Sequence, residues 1–346
     1  MSSSGPLVDE LGVTFRLADR HHRLASVRLV QELGLAEVRL TRDRVAWSLH
    51  VPRPPVNRME YLFEIEDHNA RRTTITDPDN GRSAPGAFGA KSVVEFPGYV
   101  PPRWLDGVGV DGTSTEFEID APLLGAPITG ALWSPATLDP AEPAPLLVVH
   151  DGPEYDALGN VVHFASTRIA DGTFAPLRVA LVAPGERTEW YAANAAYTAA
   201  LVDEVLPGLA PATQRIGLGA SLGALAMLHA HRSRPGTFDA LLLQSGSFFT
   251  PDLDGQESRF GGFAAVTRFV ASVHESRDDP APVPIAITCG VAEENLANNR
   301  RMSETLARLG YQVTMTTVRD GHNYVAWRDA LHPSLTDLVA TVTHAP

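Results

Sequence analysis

The chain has 346 residues, 41 of them acidic and 28 basic, giving a net charge of −13. That length exceeds what one core usually organises, so two domains are expected, and the acidic balance opposes nucleic acid and anionic membrane surfaces as partners because phosphates are repelled at long range. A lone cysteine, Cys289, excludes an intramolecular disulfide and a multi-cysteine zinc cluster.

The opening MSSSGPLVDELG has no basic or apolar leader character, and no later stretch reaches the apolar length of a membrane span. A cytoplasmic protein is therefore expected. Up to about residue 100 the chain reads as β-rich, with short alternating segments such as Arg44 to Val51 and Tyr61 to Asp67 separated by turn chemistry, notably Asp77-Pro78-Asp79-Asn80-Gly81. Strands at this spacing imply a small immunoglobulin-like β-sandwich. A stretch of weak periodicity from Gly86 ends in Pro101-Pro102-Arg103-Trp104, which places the boundary between a domain over 1–104 and another over 105–346.

Beyond it, Thr115 to Ile119 and Ile128 to Trp133 read as an opening antiparallel pair. Then come uninterrupted apolar runs: Leu146 to Val149, Val179 to Val182, Ile216 to Gly219, Leu241 to Leu243, Ile285 to Cys289 and Val313 to Val318. Helical patterns separate several of them, over Asn194 to Leu206, Leu222 to Arg232, Asn295 to Leu309 and from about Tyr324 onward. Strands buried on both faces and joined by helices make a mainly parallel sheet, the α/β class.

At one strand-to-helix junction stands Gly219-Ala220-Ser221-Leu222-Gly223, a GxSxG pattern. With 28 glycines in the chain, about one such sequence in eight carries the pattern by accident, so the setting matters more than the letters. A sharp turn between strand and helix lifts a serine hydroxyl above the sheet, and the Leu222 amide at the helix start can donate to a developing oxyanion. The plain alternative is a helix N-cap serine with incidental glycines.

A serine nucleophile needs a base and an orienting acid, and in the α/β-hydrolase arrangement these follow it in the order acid, histidine. His322, after the apolar run Val313 to Val318, suits the base; His332 and His344 sit within or after the last helix. The acid should follow Cys289, where Glu293 and Glu294 are adjacent. Only one can face the histidine, because successive side chains diverge, and Glu293 at the turn is favoured. A second oxyanion donor should follow the run Leu146 to Val149; Pro153 has no N–H, which leaves Gly152. His150 reads as ordering this loop. His229 and His231, two apart on a helix, make no metal pair, so neither a metal nor a cofactor is expected.

Together the elbow Gly219 to Gly223, the loop HDGPEY from His150, the run CGVAEENLANNR from Cys289 and DGHNYVAWRDAL from Asp320 resemble the α/β-hydrolase superfamily of enterochelin (siderophore) esterases, feruloyl esterases and mycolyltransferases. Arg187 to Asn194 with Glu204-Val205-Leu206-Pro207 is similar to the enterochelin-esterase segment before the nucleophile strand, and that subfamily also carries a β-sandwich ahead of its hydrolase domain. The histidine departs from the group in being followed by Asn323 where Asp is frequent. The resemblance implies a serine esterase whose partner is a small-molecule ester, of siderophore or aryl type. Acyl transfer by the same residues and ligand binding by an inactive hydrolase are the competing readings. Arg187 and Trp190 are candidate substrate-binding residues; an ion pair of Arg187 with Glu189 or Asp203 and core packing of Trp190, Tyr191, Phe248, Phe249 and Trp327 are the alternatives.

Overall fold

The computed structural model describes residues 5–343. The chain divides into two compact units, one holding the residues up to Pro101 together with Gly290–Glu294 and Val318–Ala326, the other holding the rest.

In the first unit the strands are β1 (Leu7–Val8), β2 (Gly12–Ala18), β3 (Leu24–Val30), β4 (Thr41–Arg42), β5 (Ala46–Pro52), β6 (Arg58–Asp67), β7 (Arg72–Ile75), β8 (Ser83–Ala84) and β9 (Lys91–Glu95). They form two antiparallel sheets, one ordered β1-β2-β5-β4 and one ordered β3-β6-β9-β8 with β7 on β6. Period-two alternation explains the inward faces: Val13, Phe15 and Leu17 of β2 are buried opposite Val51, Leu49 and Trp47 of β5. From β6, Met59, Tyr61 and Phe63 join the same core, where Tyr61 meets Phe15 edge-on at 4.7 Å. The Tyr61 hydroxyl donates to Asp77 Oδ2 at 2.6 Å, satisfying a buried polar tip. Asp77 also organises the expected turn, its Oδ1 accepting from Asp79 N at 2.9 Å. Val291 and Ala292, from the first returning segment, pack against this core.

The second unit is mixed α/β. Its strands are β10 (Gly112–Ile119), β11 (Ile128–Pro135), β12 (Ala144–His150), β13 (Arg178–Val182), β14 (Ala212–Ala220), β15 (Ala240–Gln244), β16 (Pro284–Gly290) and β17 (Gln312–Val318). They lie in one sheet in the order β10-β11-β13-β12-β14-β15-β16-β17. The pairings β13/β12, β12/β14, β14/β15 and β15/β16 are parallel, whereas β10, β11 and β13 pair antiparallel. Every residue of β13 and β15 is buried, as uninterrupted apolar runs require.

The helices are α1 (Gly152–Gly159), α2 (Val161–Ala170), α3 (Arg187–Trp190), α4 (Ala195–Ala199), α5 (Leu206–Gly208), α6 (Leu222–Ser233), α7 (Phe263–Glu275), α8 (Leu296–Arg308), α9 (Tyr324–Asp329) and α10 (Leu331–Thr343). In α7, Val266, Val270 and Val273 recur at helical spacing and all reach the core. The single helix expected from Asn194 to Leu206 is instead α4, a π-helical stretch over Ala200–Val205, and α5. Pro207 lies inside α5 at an early position that needs no backbone donor. Because β12 lies between β13 and β14, successive connections leave it in opposite directions across the sheet, and the loops after β12 and β14 emerge side by side at the carboxyl edge. Among the described residues no helix is long and apolar enough to cross a membrane.

Candidate active site

The elbow forms as its glycines dictate. Ser221 has φ 56° and ψ −123°, a conformation costly for any side chain and tolerated only where its surroundings hold it. Here they do: Ser221 N donates to Gln244 O at 2.8 Å, and Ser221 O accepts from Ser247 N and Ala224 N, each at 3.1 Å. A Cβ on Gly219 would stand 2.3 Å from Gly223 O, so strand end and helix start approach too closely for any side chain there. The half-buried Ser221 hydroxyl lies 3.3 Å from the hydroxyl of Ser247, a residue that no sequence pattern singles out.

The loop after β12 is tied to this elbow through His150. Its Nδ1 donates to Gly223 O at 3.0 Å and its Nε2 accepts from Tyr197 OH at 2.9 Å, which fixes one neutral tautomer. Burial pushes its pKa down to about 4, keeping the ring uncharged. The ring also stacks on Tyr191 at 4.6 Å. Next comes Asp151 at φ 53°, with its N–H on Tyr191 OH at 3.2 Å. Gly152 opens α1, where the first amides lack partners within the helix, and a Cβ on it would lie 2.3 Å from Leu181 Cα. Pro153 occupies an early helical position that needs no N–H.

Arg187 is tied to the loop after β12. Its Nε and Nη2 bond the two oxygens of Asp151 at 2.7 and 2.8 Å, a bidentate pair, while Asp203 pairs with Arg234 at 3.2 Å. Residues close in sequence lose here to one brought round by the parallel sheet. Trp190 is 7 % exposed and stacks on Tyr197 at 5.6 Å; Tyr191, Phe248, Phe249 and Trp327 are likewise buried.

In the first unit, Glu293 and His322 come together. Nδ1 of His322 donates to Glu293 Oε2 at 2.8 Å, and Glu293 Oε1 accepts from Gly290 N at 2.7 Å. Glu293 is buried whereas Glu294 is exposed, so the turn out of β16 separates the two carboxylates as diverging neighbours must. Asn323, in place of the expected Asp, caps α9 by accepting from Ala326 N at 2.9 Å. His332 bonds Thr336 Oγ1 at 3.1 Å within α10, and His344 lies outside the described residues. His229 bonds Thr198 Oγ1 at 2.7 Å and His231 bonds Ala281 O at 2.9 Å, local packing roles both. Among the described residues no cluster of three or more His, Cys, Asp or Glu is arranged to hold a metal ion.

Comparison with known proteins decides the family. The Esterase family model, described as "Putative esterase", matches residues 121–338. The chain belongs to the Esterase family. The iron(III) enterobactin esterase of Dickeya dadantii (strain 3937) is 29% identical over 219 residues, covering 58% of this chain and 49% of that protein. The chain therefore spans about half the length of the curated relative it matches. Crystal structures of the enterobactin esterase from Shigella flexneri are similar over nearly the whole chain: one, obtained with 2,3-dihydroxy-N-benzoyl-glycine, has a TM-score of 0.76 at 20% identity over 99% of this chain and 98% of that one. The ferric enterobactin esterase of Salmonella typhimurium gives 0.76 at 19% identity, with the same coverage. A ferulic acid esterase covers 66% of this chain and 98% of its own, with a TM-score of 0.54 at 17% identity. At these identities the likeness is one of fold, the mixed α/β fold of the esterases.

Proposed function

We propose that the chain hydrolyses a carboxylic ester with Ser221 as nucleophile, His322 as general base and Glu293 as the acid that orients it. The observation that carries this reading is the 2.8 Å hydrogen bond from His322 Nδ1 to a buried Glu293 carboxylate, which commits Nδ1 as donor and makes Nε2 the basic nitrogen. Support also comes from chain order, since Ser221 follows β14, Glu293 follows β16 and His322 follows β17. Nε2 takes the Ser221 proton as Oγ attacks the ester carbonyl, and the amides of Leu222 and Gly152 hold the oxyanion. Collapse of the tetrahedral intermediate breaks the C–O bond; His322 returns the proton to the leaving alcohol, and an acyl-serine remains. Water, deprotonated by His322, then releases the acid.

For the substrate, the names of the relatives support a siderophore-type ester, with aryl esters as the simpler analogues. Arg187 is the candidate contact for anionic groups, its charge shared with Asp151, and Trp190 supports the helix that bears it. We assign residues 1–104 to an immunoglobulin-like β-sandwich and 105–346 to the hydrolase domain, working in the cytoplasm, where a lone thiol survives. Steady-state hydrolysis of a catecholate trilactone and of p-nitrophenyl esters tests the proposal: Ser221→Ala should lower kcat on the order of 10⁴-fold or more. A Ser221→Ala protein hydrolysing these esters at the wild-type rate refutes it.

A further inference from the structure

We propose that Arg58, on β6 of the first unit, is a positioning residue for the catalytic base. The inference rests on the reading of His322 as that base. Arg58 is 3 % exposed, although its side chain points away from the inward row Met59, Tyr61 and Phe63. It is buried because the returning segment Val318–Ala326 covers it within the same unit. Its Nη2 donates to Glu60 Oε1 at 2.8 Å, its Nη1 donates to Asn323 Oδ1 at 3.3 Å, and Asp320 Oδ2 lies 3.8 Å from Nη1.

Asn323 and Asp320 stand one residue after and two before His322. Each is wired further into the loop. Asp320 Oδ1 accepts from Gly321 N at 2.7 Å and from Asn323 Nδ2 at 3.0 Å, and Asn323 caps α9. One residue along, Asn57 N donates to Arg319 O at 2.6 Å and Arg319 Nε donates to Asn57 Oδ1 at 3.1 Å. The loop is therefore clamped by two consecutive residues, Asn57 just before β6 and Arg58 at its start, and the only cation within the clamp's buried part, among the described residues, is Arg58.

Charge makes this arginine hard to replace. Burial drives the Asp320 carboxyl up to about 6, with Arg58 opposing that drift and Glu60 adding to it. Without the guanidinium, two buried carboxylates face each other with one cation fewer, Lys91 Nζ at 3.8 Å from Glu60 being the nearest remaining. The loop then relaxes, and the His322 ring turns from the line that Glu293 sets. A ring displaced by about 1 Å loses reaction rate on the order of 10²-fold with little change in substrate affinity.

The test is kinetic, on the full chain with a p-nitrophenyl ester. Arg58→Met should lower kcat on the order of 10²-fold while KM changes by less than about threefold, and Arg58→Lys should recover part of the loss by restoring charge. Should Arg58→Met fail to fold, Asn323→Ala removes the acceptor of Nη1 and should lower kcat in the same direction. In a His322→Ala background, adding Arg58→Met should change the residual rate by less than about twofold, since the two act through one group. Equal losses in both backgrounds, or a folded Arg58→Met protein with wild-type kcat, overturn the inference. Were His322→Ala itself fully active, the base assignment would fail; an inactive His322→Ala beside a normal Arg58→Met removes only the positioning role.

Discussion

Replacing Glu293 by Gln perturbs one atom and probes two bonds. In the wild type both Glu293 oxygens accept, Oε1 from Gly290 N at 2.7 Å and Oε2 from His322 Nδ1 at 2.8 Å. A glutamine amide offers one acceptor and one donor. If its oxygen stays on Gly290 N, its NH₂ faces Nδ1 and the imidazole must carry its proton on Nε2, the tautomer that cannot accept from serine. If it flips, NH₂ meets the buried Gly290 N–H, and an unmet donor costs about 1–3 kcal/mol. The lost attraction between carboxylate and imidazolium adds about 3 kcal/mol at the effective dielectric of a partly exposed pair. Together, about 4–6 kcal/mol corresponds to a fall in kcat of roughly 10³- to 10⁴-fold at 1.4 kcal/mol per decade. The assay is steady-state hydrolysis of a p-nitrophenyl ester, with the exposed Glu294→Gln as control, expected within about threefold of wild type. A Glu293→Gln enzyme within tenfold of wild type refutes the reasoning, as does a Glu294→Gln enzyme that loses as much.

Four further outcomes are expected. Gly219→Ala sets a Cβ against Gly223 O, and urea denaturation should show a loss of about 1–3 kcal/mol as the elbow shifts; an unchanged midpoint contradicts that packing. His150 and His229 are each held near 4 by burial against an ordinary 6.5. Because the unfolded chain takes up these protons first, stability is present above 6.5 and is lost as pH falls toward 4, by up to about 3 kcal/mol per ring; a flat unfolding free energy from pH 7 to 4 contradicts this. Asp320, raised to about 6, acts in the opposite sense, contributing most below the unfolded value of 3.8 and losing that contribution as pH rises through 6. Asp320→Asn should therefore steepen the rise of stability between about pH 4 and 6 relative to wild type, and an unaltered slope counts against the burial of that carboxyl. Finally, Arg187→Met leaves the buried Asp151 carboxylate without its bidentate partner. A stability loss of about 2 kcal/mol is expected by denaturant titration, discounted for the partial exposure of the arginine; no loss shows that the pair is not held in solution.

The strained turn at Ser221 was legible because its signal is local: five residues at a strand-to-helix junction carry the glycines that the close approach of strand end and helix start requires. The position of His322 on the loop after β17 was legible from order along the chain. Glu293 and Glu294 remained a pair until the turn out of β16 showed which one is buried, because side-chain direction in an irregular turn follows from backbone angles that composition does not encode. Arg187 illustrates the opposite failure. Its neighbours Glu189 and Asp203 suggested themselves by proximity, yet Asp151 is its partner, delivered by the β12/β13 crossover. Arg58 and Asn323, 265 residues apart, and Ser247 beside Ser221 left no periodic or motif trace at all. Long-range polar contacts of this kind depend on the register of strands that each look ordinary alone. In the second unit, α1 and α2 were also not anticipated, since their short, weakly patterned faces lack the apolar period by which helices are read.

Activation of a Ser221 nucleophile by His322 is the proposal on which the mechanism rests. Its most direct test is reaction of the intact protein with a fluorophosphonate, followed by peptide mass spectrometry. One adduct per chain is expected, on Ser221, forming at least about 100-fold more slowly in His322→Ala. An adduct on another residue, or ester hydrolysis that continues undiminished with Ser221 unlabelled, contradicts it.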